Sequence, residues 1–265
     1  MKSIAFINQK GGVGKTTSTI NIGAGLARMG KKVLLVDFDP QANLTYSFGI
    51  QPESLQKTCY ELIKAVATKQ KFSADTFLLE LNIGAKDKVF LLPSSIGLSG
   101  FENDIKDHAQ RNFLFREVLK CFGKFDYILV DCPPSLGILT VNVLSAVQEV
   151  YIPVQTEFFA LQGLGQISNV VKVVSQALNP SLKLAGVIGT KFNNRKLHKD
   201  VMTYLKDTFK DVVFKTVIRE NIALAEAPSF GKDIYSYSPK SNGAKDYALL
   251  CKEILSAHKN KGDTL

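Results

Sequence analysis

No stretch of this chain approaches the ~18–20 consecutive apolar residues that a membrane span requires. Its start reads as lacking a signal peptide, because the apolar run Ile4–Ile7 is short and leads straight into a glycine loop. Cysteine is sparse. Cys59, Cys121, Cys132 and Cys251 are scattered and form no C-x-x-C pair. That spacing argues against a disulfide framework or an iron–sulfur site and for reduced thiols in a cytoplasmic protein. Internal repeats, low-complexity linkers and domain breaks are also missing. What remains is a chain of 265 residues, 45% hydrophobic, long enough to bury a sizeable core. Strand-like and helix-like stretches alternate from end to end. The pattern predicts a single α/β domain over residues 1–258, with a mostly parallel twisted sheet and helices on both faces. A polar tail, 259–265, follows it. The net charge is +9, and residues 183–265 carry 15 Lys and Arg against 9 Asp and Glu. A basic excess suits a polyanion, nucleic acid or anionic membrane, and equally a solvated lysine-rich surface.

The strict phosphate-loop pattern G-x-x-x-x-G-K-[ST] lacks its first glycine here, since Gln9 stands in that place. Lys10-Gly11-Gly12-Val13-Gly14-Lys15-Thr16-Thr17 follows, between the apolar run Ile4–Ile7 and a helix-compatible run, Ser18–Met29. Strand, glycine loop, Lys-Thr and helix are the parts of a phosphate cradle. Glycines permit positive φ and turn successive N–H groups onto one anion. The helix N-terminus adds partial positive charge. Lys15 can reach β- and γ-phosphates, and the Thr16 hydroxyl can join a Mg²⁺ shell.

Val33–Val36 is a continuous apolar run, as in a parallel strand covered on both faces. It ends in Asp37-Phe38-Asp39-Pro40-Gln41, with carboxylates 22 and 24 residues beyond Lys15. Ligands of open α/β sheets sit at the carboxyl ends of strands, so this acidic pair can meet a triphosphate. Tyr127–Val130 repeats the pattern and ends in Asp131, followed by Cys132-Pro133-Pro134-Ser135. An acid at such a strand tip can hold Mg²⁺, usually through water. Further strands are predicted at Val89–Leu92, Glu149–Gln155, Leu184–Phe192 and Val212–Phe214. Helices are predicted at Ser54–Val66, Phe113–Phe122, Leu161–Leu178 and Ala244–Ala257. Residues 67–86 give weak signals.

The K-G-G-V-G-K-T-T loop, with its additional Lys10, is a deviant Walker A motif and resembles the ParA/MinD group of P-loop ATPases. Residues 33–45 resemble that group's V-D-x-D-P-Q-x-N signature, and Asp131 matches its D-x-P-P form. The stretches Glu226-Ala227-Pro228-Ser229 and P-K-S-N-G-A at 239–244 resemble the chromosomal Soj/ParA branch. The resemblance implies a Mg²⁺- and ATP-dependent homodimer that binds double-stranded DNA non-specifically and hydrolyses ATP when a ParB-type partner stimulates it. It implies that Lys10 crosses the dimer interface to the other subunit's phosphates. It also implies that Asp39 orients the attacking water and that Asp37 stands close to the metal shell, with Thr16, Asp39 and Asp131 serving the metal. Residues 10–17 would bind nucleotide. Asn221 is a candidate adenine contact. A cytoplasmic, nucleoid-associated protein without a membrane role is expected.

The family's DNA contacts include an arginine after the strand at 184–192, and Arg195 matches it, with Lys196 and Lys199 beside it. A second arginine normally follows proline, in V-I-P-R-N. Here the sequence is V-I-R-E-N, with Arg219 in the proline's place and Glu220 in the arginine's. A carboxylate there would repel phosphates, so DNA binding would be weakened, moved onto Arg219 and the lysines, or lost. Phosphate contacts of this kind are independent of sequence and sensitive to salt. Apart from Phe192 the loop has no aromatics, so base stacking with DNA is not indicated. Two other classes fit a P-loop chain. One is a MinD-like switch on a membrane or protein partner, which would need an amphipathic C-terminal helix that 259–265 does not make. The other is an ATP-dependent amide- or ring-forming ligase.

Overall fold

The protein is described from a computed structural model, which covers residues 1–84, 87–157 and 160–260. Seven strands, β1 (Lys2–Phe6), β2 (Val33–Asp37), β3 (Leu79–Asn82), β4 (Lys88–Leu92), β5 (Tyr127–Asp131), β6 (Glu149–Gln155) and β7 (Lys183–Thr190), form one sheet. Their order is β3-β4-β2-β5-β1-β6-β7, parallel throughout except for β3, which runs antiparallel to β4 at one edge. The helices are α1 (Lys15–Arg28), α2 (Asn43–Tyr46), α3 (Cys59–Ala67), α4 (Phe101–Asp104), α5 (Leu114–Lys120), α6 (Ile138–Ala146), α7 (Ala160–Ala177), α8 (Lys196–Phe209), α9 (Ile222–Glu226), α10 (Ile234–Tyr237) and α11 (Asn242–Asn260).

The side-chain alternation of each strand divides the core in two. Ile4, Phe6, Val33, Leu35 and Leu129 pack on one face with α1 and α11. Ala5, Ile7, Leu34, Val36, Ile128 and Val130 pack on the other with α3, α5, α6 and α7. Both faces are covered, so the central strands need no polar residues until their tips. In-register parallel pairing then aligns those tips. Phe6 and Asp37 are both opposite Asp131. The strand ends β1, β2 and β5 thus converge on one edge of the sheet, where α1 begins.

The expected single α/β domain with helices on both faces is observed, and the differences are local. The helix expected from Ser54 starts at Cys59. Thr58 caps it, accepting from Tyr60 N, while Glu61 Oε2 accepts from Thr58 N at 3.0 Å, the reciprocal arrangement of a capping box. Pro52–Ser54 forms a separate 3-10 turn. Strand β3 lies in the stretch of weak signals. It is an edge strand whose residues alternate between half-buried and exposed. The strand expected at Val212–Phe214 is a 3-10 turn, Lys210–Val212, plus one bridge between Val213 and Val187. Strand β7 stops at Thr190 because Lys191 adopts a positive φ of 49°, although Phe192 still bridges Arg219. Helix α11 runs through Lys259 and Asn260, the first two residues of the expected tail, and 261–265 lie outside the described residues. Among the described residues no helix is long and apolar enough to cross a membrane.

Candidate nucleotide site

The turn between β1 and α1 is shaped by glycine. Gly12 and Gly14 have φ of 72° and 92°, values that a residue with Cβ adopts only under strain. Gly14 is the N-cap of α1, so the free N–H groups of the first turn point into the loop's hollow. Thr190 Oγ1, at the end of β7, donates to Val13 O at 2.8 Å and ties the loop to the sheet. Lys15 is buried, and Gly11 through Thr17 line a cleft of about 1090 Å³.

Thr16 and Asp131 meet beneath this loop. Thr16 Oγ1 donates to Asp131 Oδ2 at 2.6 Å. Asp131 is 1% exposed, and its Oδ1 has no hydrogen-bond partner. Burial, reinforced by the neighbouring Asp37 charge, pushes the Asp131 carboxyl well above the usual carboxylate range, although Thr16 and Lys15 oppose the shift. A buried, unpartnered carboxylate oxygen beside a hydroxyl suits a hard divalent cation, which would supply the missing partner. Among the described residues no group of three His, Cys, Asp or Glu could hold a metal alone. Mg²⁺ does not require one, because it is commonly held by one or two carboxylates together with substrate phosphates and water.

The two aspartates after β2 divide. Asp39 lines the cleft, its Oδ1 accepting from Gln41 N at 3.0 Å. Its carbonyl accepts from Ala42 N and from Ser94 Oγ, so the turn that carries it is fixed. Asp37 does not join the cleft wall. It is fully buried and accepts from Thr45 N at 2.8 Å and Thr45 Oγ1 at 2.7 Å. Burial raises its carboxyl to about 7, against the lowering effect of those hydrogen bonds. Asp37 thus stands beside Asp131, close to the expected metal shell, while its own carboxylate oxygens anchor the start of α2 to the tip of β2.

Lys10 does not line the cleft that its own loop forms. Its Nζ lies 2.8 Å from Glu157 Oε2, with both side chains nearly half exposed. The Lys10 ammonium holds the Glu157 carboxyl below its usual range. The far wall of the cleft includes Ile218, Arg219, Glu220, Asn221, Pro228 and Ser229. Asn221 is also the N-cap of α9, accepting from Ala223 N at 2.9 Å.

The basic residues beyond β7 do not form one group. Arg195 is exposed at the N-terminus of α8, with exposed Lys196 and Lys199 following it. Arg219, expected to join them, is forked onto Asp246 of α11 and faces the cleft. Glu220 also lies in the cleft wall. Sequence reasoning missed Glu157 and Asp246, since each meets its partner only through the fold. Pro228 and Ser229 were visible as part of a late motif, but their place in the cleft was not.

Comparison with known proteins agrees with this geometry. Residues 1–184 match a family described as an AAA domain. The chain is 42% identical over 255 residues to the sporulation initiation inhibitor protein Soj of Bacillus subtilis, covering 96% of this chain and 98% of that protein. It is 37% identical over 265 residues to the chromosome partitioning protein ParA of Caulobacter vibrioides, covering 98% and 96%. Among solved structures it resembles cobyrinic acid a,c-diamide synthase from Mycobacterium smegmatis with bound ADP and magnesium, at 34% identity and a TM-score of 0.82, covering 97% of this chain and 95% of that one. A glycine loop with an additional lysine, an acid at each of two neighbouring strand tips, and full-length likeness to partitioning ATPases place the chain in the Soj/ParA family of P-loop ATPases.

Proposed function

We propose that this protein is a Mg²⁺-dependent partitioning ATPase whose ATP-bound homodimer holds DNA non-specifically and releases it on hydrolysis stimulated by a ParB-type partner. One observation carries the dimeric part of this reading: Lys10, the residue that makes the loop deviant, is directed away from its own cleft. A lysine so placed can serve the cleft of a second subunit. The long likeness to Soj and ParA supports the cellular role.

Phosphoryl transfer to water needs positioning and charge more than covalent help. The α1 N-terminus and the loop N–H groups bind the phosphates, and Lys15 neutralises their charge. Thr16 and Asp131 would hold Mg²⁺, which when bound supplies positive charge to the phosphate oxygens. Asp39, fixed by its turn at the cleft wall, orients the attacking water. Lys10 from the partner subunit adds the last positive charge, as an arginine finger does, so turnover depends on dimerisation.

Arg195, Lys196 and Lys199 form the surface for DNA phosphates. Glu220 is exposed at the cleft wall, apart from the start of α8 in the sequence. The direct experiment is retention of unrelated duplex DNA by purified protein with ATP, with ADP and without nucleotide, across a salt series. ATP-dependent, salt-sensitive retention is expected. No retention under conditions where ATP demonstrably dimerises the protein would overturn the DNA reading. Stimulation of ATPase rate by a small-molecule acid, and not by DNA or a protein, would favour a ligase instead.

A further inference from the structure

One wall of the cleft is bordered by an ion pair that phosphate binding does not require. Arg219 Nη2 donates to Asp246 Oδ1 at 2.6 Å, and Nε donates to Asp246 Oδ2 at 3.0 Å. The Arg219 backbone N–H also donates to that Oδ2, at 3.0 Å. The Asp246 side chain is 6% exposed, whereas that of Arg219 is 44% exposed on a residue that lines the cleft. Helix α11, which carries Asp246, is itself fixed to the nucleotide-binding helix: the Tyr247 hydroxyl lies 3.0 Å from Ser18 Oγ in α1. A carboxylate that engages a guanidinium along its edge fixes the plane of the group and leaves its faces available. It also cancels the positive charge, so the pair is poorly suited to binding phosphate.

We propose that the Arg219 guanidinium, held in place by Asp246, is the wall on which the base of the bound nucleotide stacks, with Asp246 as its positioning residue. The inference rests on the cleft being an ATP site. A nucleoside triphosphate anchored by its phosphates in the glycine loop must carry its ribose and base away from that loop. The rest of the cleft wall includes Tyr46, Thr190, Lys191 and residues 218–222, and Arg219 is the guanidinium among them. Guanidinium stacks on aromatic faces, and every nucleobase presents one. This wall sets affinity for nucleosides in general, not a choice among bases.

The test compares equilibrium binding of ATP, ADP and inorganic tripolyphosphate, each with Mg²⁺, to the full chain and to Arg219→Ala, Arg219→Lys and Asp246→Asn. ADP and ATP affinity is expected to fall about 3- to 30-fold in Arg219→Ala. Tripolyphosphate affinity is expected to stay unchanged. Arg219→Lys can keep a pair with Asp246 but loses the plane, so it is expected to weaken nucleotide binding while melting like the parent. It decides the matter if Arg219→Ala does not fold. Asp246→Asn is expected to weaken nucleotides and spare tripolyphosphate. Equal loss for tripolyphosphate and nucleotides, or nucleotide affinity unchanged in Arg219→Lys, would overturn the inference and leave the ATP site standing. A parent protein that binds neither ATP nor tripolyphosphate would remove the ATP site and the inference together.

Discussion

Lys10 Nζ lies 2.8 Å from Glu157 Oε2, so the lysine that distinguishes this loop is paired on the surface and absent from the wall of its own cleft. Exposed pairs of this kind contribute about 0–1 kcal/mol and exchange partners readily. Lys10 is therefore available to a second subunit. Lys10→Ala is expected to lower ATP-driven dimerisation and to reduce hydrolysis by about 10³-fold or more, the range of a lost arginine finger. Monomer affinity for ADP should change little. Analytical ultracentrifugation with ATP and a steady-state phosphate-release assay check both.

Asp39 occupies the cleft on a turn fixed by Gln41 N and Ser94 Oγ. Asp39→Ala is expected to bind ATP and to slow single-turnover hydrolysis by roughly 10²- to 10⁴-fold, the usual contribution of a positioned proton acceptor. A near-normal single-turnover rate would remove Asp39 from the chemistry.

Asp131 Oδ1 is buried without a partner, and Oδ2 accepts from Thr16. Asp131→Asn keeps the shape and loses the charge. The Mg²⁺ concentration that half-saturates nucleotide binding should rise about 10- to 100-fold, as for other losses around a bound metal. Metal-free nucleotide affinity should be less affected. Titration of Mg²⁺ against a fluorescent ADP analogue reads both.

At the exposed start of α8, Arg195→Ala and Lys199→Ala should each weaken duplex DNA binding to any sequence and lower the salt slope by about 1. Arg219→Ala should leave that slope unchanged, because its guanidinium is committed to Asp246. A slope that responds to Arg219 and not to Arg195 would relocate the surface.

The opposite end of the sheet carries a pH-dependent tie. Glu149 Oε2 lies 2.9 Å from His258 Nε2, and Lys183 Nζ lies 3.3 Å from Oε1. Burial works to raise the Glu149 carboxyl, but the His258 hydrogen bond and the His258 and Lys183 charges outweigh it and hold it at about 2. A folded value below the unfolded one means that the native state binds fewer protons. The stabilisation is present above pH 4.5 and is lost as the pH falls toward 2. Glu149→Gln should cost on the order of 2 kcal/mol at pH 6–7 and progressively less below pH 4. Urea melts at several pH values check the convergence.

The glycine loop, Asp39 and Asp131 were legible because each belongs to a local pattern: an apolar run, then a polar residue at the strand tip. Asp37 and Asp39 look alike in the sequence. They are told apart by Thr45, eight residues on, which folds back to satisfy Asp37 and leaves Asp39 in the cleft. The Thr58–Glu61 capping box was readable as T-x-x-E and would have put the start of α3 in the right place. Strand β3 was missed although Leu79-Glu80-Leu81-Asn82 alternates apolar and polar residues as an edge strand does; four residues give only two repeats of that pattern. The placing of Arg219 needed Asp246, 27 residues away on the last helix, and that contact exists only once α11 has docked on α1.

The most direct test of a site shared between two subunits mixes two inactive proteins, Lys10→Ala and Asp39→Ala, and measures ATP hydrolysis. In a mixed dimer the Lys10→Ala subunit keeps Asp39 and receives Lys10 from its partner, so one complete site forms. Mixing is expected to restore turnover that neither protein has alone. If Lys10 serves its own cleft, no site in any mixed dimer has both residues. The absence of restored turnover in a mixture that demonstrably forms mixed dimers would contradict the account.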